Sequence, residues 1–268
     1  MPADHGHRLD SVEQIACAAG RRILTIYRGG FQVDEKRDGS PVTEADRAAH
    51  AIIVEGLTRA APEIPVLSEE SAETDYASRA GWERFWLVDP LDGTKEFVSR
   101  NGEFTVNIAL IERGAPVLGV VHVPVTGVTY LGARGIGAFR RDADGARAAI
   151  HARPRGARLR VVASRSHADA ALHEYIMRLG EHDVVSMGSS LKFCLIAEGA
   201  ADVYPRLGPT MEWDTAAAQA VVEAAGGRVV GPDNRPLRYN KSSLLNPWLI
   251  ASGPGDEDWT RFLPSAAK

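Results

Sequence analysis

Two aspartates three positions apart close an apolar run in Trp86-Leu87-Val88-Asp89-Pro90-Leu91-Asp92-Gly93-Thr94-Lys95-Glu96-Phe97. Phe85 to Val88 is continuous, apolar and of strand length, so it reads as a buried strand delivering both carboxylates to its open end. Pro90 removes a backbone donor and stiffens the turn. Gly93 permits tight backbone geometry, and Thr94-Lys95-Glu96 can start a helix. Two anions so close repel, and a bound divalent cation resolves the conflict. Hard oxygen ligands favour Mg²⁺, which keeps waters and meets substrate phosphate. The helix start offers backbone N–H groups to that phosphate. Taken alone, an Asp-Pro-x-Asp-Gly turn more commonly caps its own backbone. The buried strand before it and three other acidic sites shift the reading toward a metal.

Those sites are scattered along the chain. Leu67-Ser68-Glu69-Glu70-Ser71 places acids after a short apolar strand, Pro65 to Leu67. Glu212-Trp213-Asp214-Thr215 heads an alanine-rich helix, and Pro41-Val42-Thr43-Glu44-Ala45-Asp46 ends in an acid inside a helix. Each has an ordinary alternative: a solvated helix start at Glu69, an N-cap at Asp214, a solvent-facing charge at Asp46.

The elements that must position these acids follow from periodicity and punctuation. Leu9, Val12, Ile15, Ala16, Ala19, Ile23 and Ile26 recur at helical spacing. That helix is expected to open at a capping box at Asp10 or Ser11 and to stop at Gly29-Gly30. A second helix, capped by Thr43 or Ser40, carries Ala45, Ala49, Ile52, Ile53 and Leu57. Ser71 to Arg84 reads as a surface excursion. Phe104 to Ile111 and Pro116 to Val125 predict a hairpin about Arg113-Gly114, and Thr129 to Leu131 with Gly137 to Phe139 a second. Strands at Leu159–Ala163, Val184–Met187, Val203–Tyr204, Arg228–Val230 and Leu249–Ala251 alternate with helices at Asp169–Leu179, Ser190–Glu198 and Thr215–Ala225. The class is mixed α/β in two lobes, with a boundary expected near the Arg-, Ala-, Gly- and Pro-rich stretch Arg141 to Arg158. An N-terminal α+β lobe, 1–150, would carry the acidic turn, and a C-terminal α/β lobe, 151–268, would carry the substrate-binding segment.

Composition narrows the function classes. The 268 residues are 44% hydrophobic and 25% charged with net charge −4, a globular profile that excludes fibre and disorder. Cys17 and Cys194 stand 177 positions apart with no metal or disulfide spacing, and both read as small core residues. Eight arginines between Arg134 and Arg160 face only Asp142 and Asp144 there. With Phe139 the single aromatic among them, and it read as part of a hairpin, this is a solvated connection rather than a nucleic-acid surface. No apolar run approaches a membrane span, so no integral membrane segment is expected. Met1 to Asp10 reads as a polar tail, holding His5 and His7, without a signal-peptide core. The expected location is cytoplasmic, with peripheral association at the inner face of the membrane left open. The chain lacks a Gly-x4-Gly-Lys-Ser/Thr loop, a Gly-x-Ser-x-Gly elbow and a His-Glu-x-x-His site.

Asp89-Pro90-Leu91-Asp92-Gly93-Thr94 resembles the signature of the Mg²⁺-dependent, lithium-sensitive superfamily of inositol monophosphatase and fructose-1,6-bisphosphatase. Its companions stand in the same order: Ser40-Pro41-Val42-Thr43 leading to Asp46, Ser68-Glu69-Glu70-Ser71, and Trp213-Asp214 before Gly226-Gly227. The resemblance runs from about Val12 to Ser252. Within the superfamily the chain is most similar to CysQ-type 3′(2′),5′-bisphosphate nucleotidases, through Lys95-Glu96-Phe97, Gly188-Ser189-Ser190-Leu191-Lys192 and Ala201-Asp202-Val203-Tyr204-Pro205-Arg206.

The resemblance implies a two-lobe αβαβα layered sandwich and hydrolysis of 3′(2′)-phosphoadenosine 5′-phosphate to AMP and phosphate, in sulfur metabolism and nucleotide recycling. It implies Glu69, Asp89, Asp92 and Asp214 as side-chain ligands of two Mg²⁺ ions, with the Leu91 carbonyl, and allows a third, weaker ion near Glu69. Glu69 and Thr94 would orient the attacking water, and Asp46 would accept from the Thr94 hydroxyl. Gly93-Thr94 would hold the departing phosphate, Lys192 and Arg206 the phosphate that stays, and Ser189 and His167 the ribose or base. Glu69, Leu91, Asp92 and Asp214 would also border the substrate. The partner is a phosphorylated nucleotide, not a nucleic acid, and the state a monomer or homodimer. Two rivals share the motifs: an inositol or sugar phosphatase, and a non-enzymatic nucleotide sensor. A third, a dinucleotide-binding loop at Gly132-x-x-Gly135-x-Gly137, has the glycines in reversed order and reads as a hairpin.

Overall fold

The computed structural model describes residues 2–35, 41–71, 74–164 and 170–264. Helix α1 spans Pro2–Gly29. Strands β1 (Val33–Glu35) and β2 (Pro41–Thr43) pair antiparallel and lead into α2 (Glu44–Ala60). Then come β3 (Val66–Ser68), a 3-10 turn over Glu69–Ser71, α3 (Tyr76–Arg79), β4 (Arg84–Asp92) and α4 (Thr94–Val98). A meander follows: β5 (Thr105–Glu112), β6 (Ala115–Val123), β7 (Val128–Ala133), β8 (Gly137–Arg141) and β9 (Arg147–Ile150). The remainder comprises β10 (Leu159–Ser164), α5 (Ala170–Arg178), β11 (His182–Met187), α6 (Leu191–Ala197), β12 (Val203–Arg206), α7 (Glu212–Ala224), β13 (Arg228–Val230) and β14 (Leu249–Ser252).

Strands β3 to β9 form a seven-stranded sheet in sequence order, antiparallel except for the β3–β4 pair. Strands β10 to β14 form a five-stranded sheet of order β11-β10-β12-β14-β13, parallel where helices cross over and antiparallel at β14. Leu9, Ala16 and Ile23 of α1 and Ala49 and Ile53 of α2 pack on one face of the larger sheet, against Val88, Ile108 and Val120. Its other face meets Cys194 of α6 and Ala217 and Val221 of α7, which also touch Val162 and Ala251 of the smaller sheet. Tyr175 of α5 and Trp259 cover that sheet's far side. The layers therefore run αβαβα. Helix α7 lies so close to the larger sheet that a Cβ at Gly119 would stand 2.1 Å from the Ala217 carbonyl oxygen.

Local signals account for most elements. Thr43 caps α2, and Asp46 at the third helical position accepts from the Thr43 N–H, completing a capping box. Ser40, the alternative cap, lies outside the described residues. Arg113 and Gly114 both take positive φ in the tight turn between β5 and β6.

Four expectations need correction. Helix α1 begins at Pro2 rather than at Asp10 or Ser11, so His5 and His7 are helical. His5 is buried and stands 3.9 Å from Glu112, which ties down the supposed tail. Ser71 to Arg84 is not wholly a surface excursion. Arg79 on α3 is 3% exposed and donates to the Asn240 side chain and to the Lys241 and Ser242 carbonyls. The arginine-rich connection contains β9, paired to β8. Helix α7 starts at Glu212, three residues before Thr215.

Within the arginine-rich stretch six of the eight guanidiniums pair with acids among the described residues. Arg140 meets Asp142 at 3.0 Å, Arg141 meets Glu13 at 2.8 Å and Arg147 meets Asp10 at 2.9 Å. Arg153 meets Asp202 at 3.3 Å, Arg155 meets Glu257 at 3.2 Å and Arg158 meets Asp183 at 2.6 Å. The local positive excess is thus balanced by carboxylates drawn mostly from other segments. No helix among the described residues is long and apolar enough to cross a membrane.

Candidate active site

Strand β4 carries Asp89 and Asp92 to its C-terminal end, where the register against β5 shifts between them. Asp89 is 2% exposed, and its Oδ1 accepts from the Leu91 N–H at 3.0 Å. Its carboxyl is held well above the usual carboxylate range, first by burial and then by the charges of Glu69, Asp92 and Asp214. Asp214, in the first turn of α7, is raised in the same way, by burial first and then most strongly by Asp92, while the N–H of Met211 at 2.8 Å opposes the shift. Glu69 arrives from the 3-10 turn after β3, which lies beside β4. Segments far apart in the chain therefore bring four acids to one place.

The donor set suits a hard divalent cation. Four carboxylates meet in a low-dielectric setting, and the leading influences on Asp89 after burial are the other three acids. Such a group is unfavourable without a positive partner. Among the described residues no three of these side chains already converge as a coordination sphere. Asp89 and Asp214 are instead turned onto neighbouring backbone N–H groups.

Beside the acids Gly93 takes φ +91°, and a Cβ there would meet the Glu103 carbonyl at 3.2 Å and Glu96 Oε2 at 3.3 Å. Only glycine fits that turn without strain. The Thr94 hydroxyl donates to Asp46 Oδ1 at 3.4 Å and to the Leu91 carbonyl at 3.3 Å. Asp46 is 2% exposed, and its Oδ2 is held by the N–H and hydroxyl of Thr43 at 2.8 and 2.7 Å. Asp46 is thus a buried bracket between α2 and the turn, not a solvent-facing charge.

A cavity of about 330 Å³ opens here, lined among others by Glu69, Asp92, Gly93, Thr94, Ser189, Lys192, Arg206 and Asp214. Lys192 on α6 is 6% exposed with its ammonium 5.6 Å from the centre of the Tyr204 ring. Burial lowers its pKa to about 8, against the pull of Asp92, and the Arg206 charge pushes in the same direction as burial. Arg206 donates to the Pro209 carbonyl at 2.9 Å, while its buried Nε has no protein partner. The cavity therefore has an anionic wall and a cationic wall.

Two predicted substrate contacts stand differently. His167 lies outside the described residues. Ser189 borders the cavity, but its hydroxyl donates to Asp92 Oδ2 at 2.6 Å. Trp213, next to Asp214, packs in the core. Sequence reasoning passed over Thr105, Asn107, Glu103 and Ser190, all of which hold the site together. Thr105 and Asn107 are buried polar residues two apart on β5, hence on one face of it. That alternation inside an apolar run was the available signal.

The chain matches the model of the inositol monophosphatase family over residues 7–253. It is 54% identical over 247 residues to the 3′(2′),5′-bisphosphate nucleotidase CysQ of Escherichia coli strain K12, covering 91% of this chain and 99% of that protein. A nucleotidase of the same name from Aggregatibacter actinomycetemcomitans is 36% identical, over 99% of this chain and 100% of its own. The crystal structure of CysQ from Bacteroides thetaiotaomicron superposes with a TM-score of 0.83 at 43% identity, covering 93% of this chain and 98% of that one. Fold, acidic turn and these likenesses agree: the chain belongs to the inositol monophosphatase family.

Proposed function

We propose that this chain is a Mg²⁺-dependent phosphomonoesterase that takes the 3′(2′) phosphate from a 3′(2′),5′-bisphosphate nucleotide such as 3′-phosphoadenosine 5′-phosphate. One observation carries the substrate class: a single cavity sets the acids and the Gly93-Thr94 turn against Lys192 and Arg206. A substrate with two separate phosphates matches those two walls. The names of the similar nucleotidases support the same choice.

Glu69, Asp89, Asp92 and Asp214, with the Leu91 carbonyl, are the proposed ligands of two Mg²⁺ ions, and the third ion near Glu69 is part of the same proposal. Bound magnesium supplies charge neutralisation at the phosphoryl oxygens and an acidified water. The chain does the rest. The Thr94 proton is committed to Asp46 and the Leu91 carbonyl, so the hydroxyl oxygen offers only lone pairs to the cavity. Those lone pairs would accept a hydrogen bond from the attacking water and orient it. Glu69, on the cavity wall, would take the single proton that water loses as the new P–O bond forms, and the departing ribose oxygen would take one from solvent. The Gly93-Thr94 backbone faces the phosphate to be removed. Lys192 and Arg206 hold the one that stays, Arg206 through a guanidinium fork suited to phosphate oxygens.

The Thr94–Asp46 contact favours catalysis over sensing, because a binding protein has no use for a water-orienting hydroxyl. The test is phosphate release from 3′-phosphoadenosine 5′-phosphate, inositol 1-phosphate and fructose 1,6-bisphosphate, with Mg²⁺ and with excess EDTA. The nucleotide is expected to turn over fastest, and only with Mg²⁺. Faster release from inositol 1-phosphate would move the assignment to the inositol phosphatases, and binding without release would make the chain a sensor.

A further inference from the structure

Three donors reach one oxygen of Asp92. Its Oδ2 accepts from Ser189 Oγ at 2.6 Å, from the Ser190 N–H at 2.6 Å and from Asn107 Nδ2 at 3.4 Å. With its lone pairs filled, that oxygen is a poor metal ligand, and Oδ1 is left as the ligating atom.

A layer of hydroxyls stands behind these donors. Thr105 Oγ1 lies 2.7 Å from Ser189 Oγ and 2.8 Å from Ser190 Oγ, and Ser190 Oγ donates to Asn107 Oδ1 at 2.9 Å. Thr105, Asn107 and Ser190 are each no more than 2% exposed. The proton order follows from the counts. Ser189 has one proton and gives it to the carboxylate, so its contact with Thr105 is one it accepts, and the single Thr105 proton is shared between Ser189 Oγ and Asn107 Oδ1, 3.1 Å away. The Ser190 proton on Asn107 Oδ1 turns the Asn107 amide N–H toward Asp92. Each bond polarises the next toward the same oxygen.

The loop is held in this pose at some cost. Ser189 takes φ +50°, the left-handed region that residues with a Cβ avoid. Glu103 clamps the loop from the other side, accepting from the Gly188 N–H at 2.7 Å. Two residues beyond Ser190, α6 presents Lys192.

We infer that Thr105, Ser189, Ser190 and Asn107 are positioning residues: they fix Asp92 so that one oxygen meets the cation, and they tie the segment bearing Lys192 to the metal turn. Ser189 therefore serves the metal ligand rather than the ribose. The inference rests on the cation cage proposed above. It differs from a structural role because it ties a hydroxyl on β5, which touches no ligand, to metal affinity.

Thr105→Val keeps the side-chain shape and removes the hydroxyl, and Thr105→Ser restores it. Free Mn²⁺ is counted by electron paramagnetic resonance during titration of the full chain without substrate, beside thermal denaturation. Thr105→Val is expected to weaken Mn²⁺ binding about 10-fold, with Thr105→Ser within twofold of the parent. Ser189→Ala, at a half-buried position, weakens Mn²⁺ binding similarly and leaves KM at saturating Mg²⁺ unchanged. It carries the test alone if Thr105→Val does not fold. The inference is overturned by a Thr105→Val protein that melts earlier yet binds Mn²⁺ normally. It is equally overturned by a Ser189→Ala protein whose KM rises while Mn²⁺ binding stays intact. Asp92→Asn separates the two levels. Normal Mn²⁺ binding in Asp92→Asn removes the cage itself, whereas loss there with normal binding in Ser189→Ala removes only the network.

Discussion

Two stretches of like charge sit in this molecule and are treated in opposite ways. Between Arg140 and Arg158 six guanidiniums each meet a carboxylate, five of them from outside the stretch. At the end of β4 the acids meet one another, and burial plus mutual repulsion drive Asp89 and Asp214 far from their ordinary ionisation. A charge run that the fold neutralises with its own residues is part of the scaffold. A cluster of buried acids that raise one another's pKa suits a cation from outside.

Substitution can break the comparison at its most loaded point. Asp89→Asn should lower turnover by about 10³-fold, equivalent to about 4 kcal/mol at 1.36 kcal/mol per decade. Without metal the variant should melt no earlier than the parent, because a repelling charge has gone. Steady-state phosphate release and a melting curve in EDTA check both halves. A smaller effect is expected on the cationic wall. Lys192→Met should raise KM for the bisphosphate about 10- to 100-fold and leave kcat within a few-fold, since it removes binding to a part that does not react. Because the Lys192 pKa is lowered to about 8, its positive charge is present below that pH and is lost above it. KM should therefore climb on the alkaline side of pH 8, and Lys192→Arg, which stays charged, should flatten the climb.

Mg²⁺ should raise the melting temperature of the parent in a concentration-dependent way, as a ligand of the native state alone does. Differential scanning fluorimetry over a Mg²⁺ series reads this, and the shift should vanish in Asp89→Asn. Smallest of all, Arg158→Ser should change stability by no more than about 1 kcal/mol, the range for exposed pairs, and leave phosphate release unaltered. Chemical denaturation with an activity assay checks it, and a large loss of activity there would erase the contrast between the two regions.

What the sequence made legible was local or chemically marked. Thr43 and Asp46 at the start of α2, Arg113-Gly114 between two β-rich runs, and the apolar approach to Asp89 each carry their signal within a few residues. Strand β9 escaped because Arg147, Ala148 and Ala149 are exposed at the sheet's edge and show no apolar alternation. The start of α1 escaped because burial of His5 is a tertiary event, set by packing near Glu112. At the site, the acids could be named from motifs, but their supports could not. Thr105 and Asn107 sit inside an apolar strand, and only the arrival of Ser189 and Ser190 from the other sheet's side of the chain shows what their polar atoms do.

The central claim is that Glu69, Asp89, Asp92 and Asp214 enclose divalent cations. Crystals of the protein soaked in Mn²⁺ and measured near the manganese edge test it most directly. Anomalous peaks among these four side chains, within reach of the Leu91 carbonyl, are the predicted result. A map with no peak there, from crystals in which Mn²⁺ is bound elsewhere, would contradict the account.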